Sequence, residues 1–240
     1  MKLKLLLAAI ITLVAPLNAY AKDFEYELAQ TNQKLVVAIP HGWAQVSDTV
    51  SKDGNKIRLI EFRNTDKKMS SEVDNILIGI IPPFGNQRMH PQDEQAAVAA
   101  DQITQFRDQC GASWKYSRLS LDPLANVPVA HFNSSCWRKP EALVVNPKLK
   151  RFFAISFLAA YDGSKIIAVG RTWATDNDGT SSEDLLTTQA MFDHEEHEKN
   201  VADFAMTEVT ICDKSVPDKA CRNFASTGSP RNVEYKLPPN

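Results

Sequence analysis

The sequence predicts an α+β fold, in which a mainly antiparallel sheet of about six to seven strands is covered by two helices. Short, β-branched apolar runs recur along the chain with turn residues between them, as strands joined by tight turns do. Two longer stretches, one from residue 91 and one from residue 181, change to helical spacing. Because each helix carries one apolar stripe, we expect the two helices to cover a face of the sheet in an αβ sandwich.

The first predicted strands precede the first helix. Leu35–Ile39 and Ile76–Ile81 are short, apolar and rich in β-branched residues, and each is followed by proline. Between them, Asp53-Gly54 separates two strand-like segments, which is typical of a β-hairpin. The polar stretch Asn64–Asp74 shows no periodicity and is predicted to be a loop.

The first helix is predicted from about Pro91 to Gln109. A proline suits the first helical turn, and small and apolar residues recur on one stripe of this segment. Strands are predicted to resume over Trp114–Leu121 and Val127–Trp137.

The clearest hairpin in the chain is centred on Asp162-Gly163, between strands predicted over Arg151–Tyr161 and Lys165–Ala174. A second helix is predicted to open at Ser181, where serines can cap it and acidic residues occupy the first turn. Val209–Cys212 is predicted to be a short final strand. Residues 225–240 are rich in Pro, Ser and Asn and are predicted to be a flexible tail.

Residues 1–21 have the pattern of a cleaved secretory signal. Lys2 and Lys4 precede an apolar run over 5–15, and the small residues Ala19 and Ala21 fit a signal-peptidase site. The apolar run is too short to span a bilayer. We therefore predict a periplasmic or secreted protein whose residues 22–224 form a single domain. The residue directly after the predicted cleavage site is a lysine, and the first cysteine is Cys110, so a lipoprotein anchor is not expected.

The four cysteines are predicted to form two disulfides, because an even number of cysteines in an exported chain meets an oxidising compartment. Three pairings are open. We favour Cys110–Cys136 and Cys212–Cys221, since each pair closes a loop within one neighbourhood of the sequence.

The element Ile39-Pro40-His41-Gly42-Trp43 ends the first strong strand. Together with the order of predicted strands and helices over residues 24–210, it resembles the PsbP/DcrB-like superfamily. The resemblance implies an αβ sandwich used mostly as a non-catalytic accessory or binding module. It transfers no catalytic residue to this chain.

Composition narrows the classes of partner. The chain has 27 Lys and Arg against 29 Asp and Glu, and this balance argues against nucleic acid or an anionic membrane as the main partner. No later apolar run approaches membrane-spanning length. Neither a serine-hydrolase elbow nor a phosphate-binding glycine loop is present. We expect a monomer without a cofactor that contacts a protein or a cell-surface partner.

One segment offers candidate metal ligands. His194 and Glu198 share a helix face at a spacing of four residues, and His197 lies beside them. The segment lacks the HExxH pattern of zinc proteases, and a charged run of this kind is usually a solvated helix face. The sequence therefore favours a non-enzymatic binding module, with a secreted metal-dependent hydrolase centred on His194 and His197 as the alternative.

Overall fold

A computed structural model describes residues 22–51, 56–64, 72–83, 93–110, 114–117, 119–176, 187–215 and 221–227, and for 187–193 it describes the backbone alone. Several predictions fall outside the described residues, namely the signal segment 1–21, the turn at Asp53-Gly54, residues 65–71 of the predicted loop and the helix starts at Pro91 and Ser181. Residues 228–240 of the predicted tail fall outside them as well.

The described residues form eleven strands and four helices. In chain order they are β1 (Phe24–Glu27), β2 (Gln33–Val37), β3 (Trp43–Val50), β4 (Arg58–Asn64), β5 (Glu72–Ile81), α1 (Glu94–Gln109), β6 (Lys115–Tyr116), β7 (Val129–Trp137), α2 (Pro140–Val145), β8 (Phe152–Tyr161), β9 (Ile166–Thr175), α3 (Thr187–Thr207), β10 (Val209–Asp213), β11 (Cys221–Arg222) and α4 (Phe224–Thr227).

The larger sheet has seven antiparallel strands in the order β3-β4-β5-β9-β8-β7-β6, which confirms the predicted fold class. The hairpin at Asp162-Gly163 is also confirmed, since β8 and β9 pair along ten residues. Its turn is formed by Gly163 at φ +89° and by the Asp162 carboxylate, whose Oδ1 accepts bonds from the backbone N–H groups of Ser164 and Lys165.

A smaller four-stranded sheet, in the order β1-β2-β10-β11, was not predicted. It joins the predicted strand near Leu35 to the predicted final strand, so that Leu35 pairs with Ile211. Its edge strand β1 carries Phe24 and Tyr26 in alternation with glutamates, which is the pattern of a half-buried strand. Side chains from both sheets share one hydrophobic core cluster.

The two long helices lie on opposite faces of the larger sheet. Helix α1 packs with Ile155 and Phe157 of β8, whereas α3 packs with Leu158 of the same strand through Phe204. The expectation that both helices cover one face is therefore wrong. Successive side chains of a strand point to opposite faces, and nine of the ten residues of β8 are buried, so this strand is covered on both sides.

Some element boundaries also differ from the predictions. The strand predicted over Trp114–Leu121 is only the two-residue β6, because the Ser117 Oγ accepts the Asn133 N–H that a strand carbonyl would accept. Both ends of the loop predicted over Asn64–Asp74 are strand, since β4 ends at Asn64 and β5 begins at Glu72. Helix α2 was not predicted. Helix α4 extends into the segment predicted to be a tail.

Both predicted disulfides are present and no free cysteine remains. Cys110–Cys136 joins the end of α1 to β7, and Cys212–Cys221 joins β10 to β11. Two disulfides are consistent with an exported protein, because such bonds persist in oxidising compartments. None of the helices in the described ranges is long and apolar enough to cross a membrane.

Candidate functional site

On the face of the larger sheet beneath α3, the size of the side chains changes from one row of cross-strand neighbours to the next. In the first row Trp137 of β7 pairs with Phe152 of β8, and in the next row Ser135 pairs with Ala154. Paired residues of antiparallel strands project to the same face, so large rings lie beside small side chains under one helix. This contrast creates two distinct environments for the residues of α3.

The first environment is a group of rings that we call the ring cluster: Trp137, Phe152, Trp173, His194 and His197. The imidazole of His194 lies 4.3 Å from the ring of Phe152 and 4.8 Å from that of Trp173, between centroids. The ring of His197 stacks on Trp173 at 5.1 Å. The two histidines predicted as metal ligands are thus brought together, and both pack on aromatic rings.

Burial shapes the electrostatics of the ring cluster. Desolvation lowers the pKa of His194, an effect that Glu198 partly opposes and His197 reinforces. The indole Nε1 of Trp173 is buried without a hydrogen-bond partner in the described part of the chain. The cluster is therefore suited to packing neutral rings, and an added charge is disfavoured at His194.

Glu198, the third predicted ligand, faces a different neighbourhood. Its Oε1 accepts a 2.6 Å hydrogen bond from the Ser135 Oγ and lies 3.6 Å from the Nζ of Lys115. Within the described ranges, no three His, Cys, Asp or Glu side chains are placed to hold one metal ion. Metal binding by His194, His197 and Glu198 stays a prediction.

The second environment is an edge cleft of about 280 Å³ between α3 and the strands β6 and β7. It opens where the paired side chains are small: Ser135 and Ala154 form part of its floor, and Ala202 faces them from α3. The remaining lining residues are Lys115, Tyr116, Ser117, Asn133, Ser134, Ile155, Glu198 and Val201.

Asn133 places an unused acceptor at the edge cleft. The Oδ1 of its side chain is buried and accepts no hydrogen bond from any described residue. Its backbone N–H and C=O are both bonded to Ser117, which holds the residue in place. A buried polar atom without a partner is unfavourable, so a donor that reached this oxygen would remove an existing penalty.

The fixed charge of the edge cleft is negative. The Glu198 side chain is 24% exposed and is held by Ser135, whereas the Lys115 side chain is 76% exposed and extends from the rim. The Ser135–Glu198 pair is poorly suited to activating a nucleophile, because a carboxylate is a far weaker base than the imidazole that usually activates serine. The arrangement favours binding over acyl transfer.

The chain matches no protein-family model, and it matches no curated protein. The site is therefore defined by its own geometry. Sequence reasoning missed Lys115, Asn133 and Ser135, which line the edge cleft. A signal was present, since the polar run Asn133-Ser134-Ser135 interrupts the otherwise apolar sequence of a buried strand.

Proposed function

We propose that this chain is an exported, non-enzymatic binding module that contacts a protein or cell-surface partner through the edge cleft. The observation that carries the proposal is the combination of a concave surface with unsaturated acceptors, the Oδ1 of Asn133 and the carboxylate of Glu198. Ligand sites are typically concave, with a few placed polar groups that fix orientation.

Two further considerations support an exported accessory role. The signal pattern of residues 1–21 and the two disulfides agree on an oxidising compartment. The proposed relationship to the PsbP/DcrB-like superfamily rests on the Ile39–Trp43 element and on the order of elements. Members of that superfamily act mostly as non-catalytic modules, in keeping with a binding role.

The alternative, a metal-dependent hydrolase, has less support from the geometry. A catalytic zinc site needs three protein ligands and an open coordination position. His194 and His197 instead pack against Trp173, and Glu198 is hydrogen-bonded to Ser135. We therefore assign the histidines to packing and the glutamate to the binding surface.

Blocking the edge cleft tests the proposed function. Ala202→Tyr would project a ring from α3 into the edge cleft, and Asn200→Tyr would place the same ring at an exposed position of the same helix. The oxidised protein, immobilised on a resin, is incubated with an envelope and secreted fraction of the source cells. We expect wild type and Asn200→Tyr to retain the same partner, identified by mass spectrometry, and Ala202→Tyr to lose it.

Two results would contradict the proposal. One is retention of the same partner by Ala202→Tyr at undiminished affinity, measured with the purified pair. The other is one zinc or copper per chain in protein purified without a tag or chelator, lost together with a hydrolytic activity in the His194→Ala/His197→Ala variant.

A further inference from the structure

We propose that the edge cleft binds the guanidinium group of an arginine side chain presented by the partner. This inference rests on the proposed function and names the chemical group that the same site recognises. Its basis is the unused capacity of two acceptors in the described part of the edge cleft, the Oδ1 of Asn133 and the carboxylate of Glu198, together with the negative charge of that carboxylate.

Two acceptors at the edge cleft have unused capacity. Among the described residues, Asn133 Oδ1 accepts no hydrogen bond, and Glu198 accepts one hydrogen bond, through Oε1. The hydroxyl of Ser135 already donates to Glu198, and that of Ser117 donates to the backbone of Asn133. A ligand that supplies several N–H donors would therefore complement the edge cleft.

Lys115 does not occupy the free acceptor capacity of Asn133 and Glu198. Its Nζ lies 3.6 Å from Glu198 Oε1, and the side chain is 76% exposed. Exposed ion pairs of this kind contribute little, because solvent screens them and a long side chain loses conformational freedom in forming them. The lysine is free to turn outward when a second cation enters, whereas Glu198 stays in place through Ser135.

Charge and geometry favour guanidinium over other groups. An anion would approach the half-buried carboxylate of Glu198 and be repelled by it. A guanidinium offers five N–H donors in a planar fork, which allows it to pair with a carboxylate and reach a second acceptor at once. It also stays charged at all physiological pH values.

The size of the edge cleft is consistent with one side chain. Its volume of about 280 Å³ is just under the range of roughly 300–1,000 Å³ that is typical of pockets for small-molecule ligands and cofactors. The cleft also lies at the edge of the larger sheet, next to the two-residue strand β6. An arginine carried on an exposed segment of another protein can approach such a site from solvent, and its contact with the buried Oδ1 of Asn133 requires that side chain to turn toward the edge cleft.

The test uses two small probes that differ in charge and have nearly the same shape. They are N-acetyl-argininamide and N-acetyl-citrullinamide, in which a neutral urea replaces the guanidinium. Binding to the full oxidised protein is measured by NMR titration, with Glu198→Gln as the test variant and Glu195→Gln as the matched control. Glu195 is an exposed residue of the same helix, and glutamine at 198 can still accept the Ser135 hydrogen bond.

We expect the arginine probe to bind wild type and Glu195→Gln equally, and to bind Glu198→Gln about tenfold more weakly, since a charge-assisted hydrogen bond is lost. The citrulline probe should bind wild type about tenfold more weakly than the arginine probe. Equal affinity for the two probes would overturn the assignment, and so would unchanged affinity in Glu198→Gln. The comparison of probes on wild type remains decisive even if a variant fails to fold.

The outcomes also separate this inference from the proposed function. If neither probe binds while Ala202→Tyr still abolishes partner retention, the guanidinium assignment is wrong and the binding function stands. If Ala202→Tyr retains the partner at full affinity, the proposed function fails whatever the probes do.

Discussion

The ring cluster and the edge cleft lie under the same helix and on the same face of the same sheet, yet one is filled and the other is open. Side-chain volume at neighbouring rows of β7 and β8 makes the difference: Trp137 and Phe152 fill the space below α3, whereas the smaller Ser135 and Ala154 border the edge cleft, and Trp173 of the ring cluster lies beside Ala154 in the same row. Position on the fold alone does not decide which residues meet a ligand. The sizes of their cross-strand neighbours decide it.

The comparison also explains why the histidines and Glu198 have different roles although they share a segment of α3. The half-buried His194 and His197 pack on aromatic rings, and Glu198 accepts a hydrogen bond from the hydroxyl of Ser135 at the edge cleft. Three variants and a change of pH test this difference.

Removing the more buried of the two indoles in the ring cluster should have the largest effect on stability. Trp173 is only 2% exposed, so Trp173→Ala leaves a cavity and should lower the free energy of unfolding by about 3–5 kcal/mol. Urea denaturation measures the change. Val145→Ala is the control, because Val145 is 86% exposed and its truncation should change stability by no more than about 0.5 kcal/mol. Equal effects of the two variants would contradict a packed ring cluster.

Enlarging a side chain in the row of Ser135 and Ala154 should have an intermediate effect on stability. Ala154 lies beneath Val201 of α3, and Ala154→Leu adds volume to a buried position. Overpacking should destabilise the protein by about 1–3 kcal/mol and reduce probe binding at the edge cleft. Urea denaturation and the NMR titration report the two effects. A variant that is fully stable and still binds the probe would show that the edge cleft does not depend on the small side chain at position 154.

Mild acid should destabilise the protein through the buried His131 and the half-buried His194. Desolvation lowers the pKa of both His131 and His194 below the ordinary histidine value of about 6.5, so the unfolded chain takes up these protons more readily. This contribution to stability is complete above about pH 6.5 and is lost as the pH falls through the lowered folded-state values. We expect Tm to fall between pH 7 and pH 5. A His131→Phe/His194→Phe variant should lose most of this dependence, and a wild-type Tm that rises over the same range would contradict it.

Changing the charge of the edge cleft should have the smallest effect on stability. Glu198→Gln keeps an acceptor for Ser135 and removes only a charge near the exposed Lys115. Its free energy of unfolding should lie within about 1 kcal/mol of wild type by urea denaturation. A larger loss would mean that Glu198 mainly stabilises the fold, and its role in binding would then have to be judged from the probe comparison on wild type.

The fold class was predictable because its signals are local. The turn at Asp162-Gly163 and the apolar runs beside it predict an antiparallel hairpin from a few neighbouring residues. The smaller sheet was not predictable in this way, since it pairs Leu35 with Ile211, which are far apart in the sequence. The placement of the helices depends in the same way on long-range packing.

The site was harder to predict than the fold for a related reason. Helical spacing shows which residues share a face of α3, but it does not show what that face meets. His194 is an attractive ligand by sequence, and the ring of Phe152 that it meets is distant in the chain. The edge cleft depends on Ser135 lying opposite Ala154, a pairing that no local pattern reveals.

Mapping the binding of N-acetyl-argininamide by two-dimensional NMR tests the central claim most directly, because it compares the edge cleft and the ring cluster in one experiment. We expect the perturbed amide signals to centre on Lys115, Asn133, Ser135 and Ala202, while the signal of His194 stays unchanged. Perturbations centred on His194 and Trp173, or none at saturating probe, would contradict it.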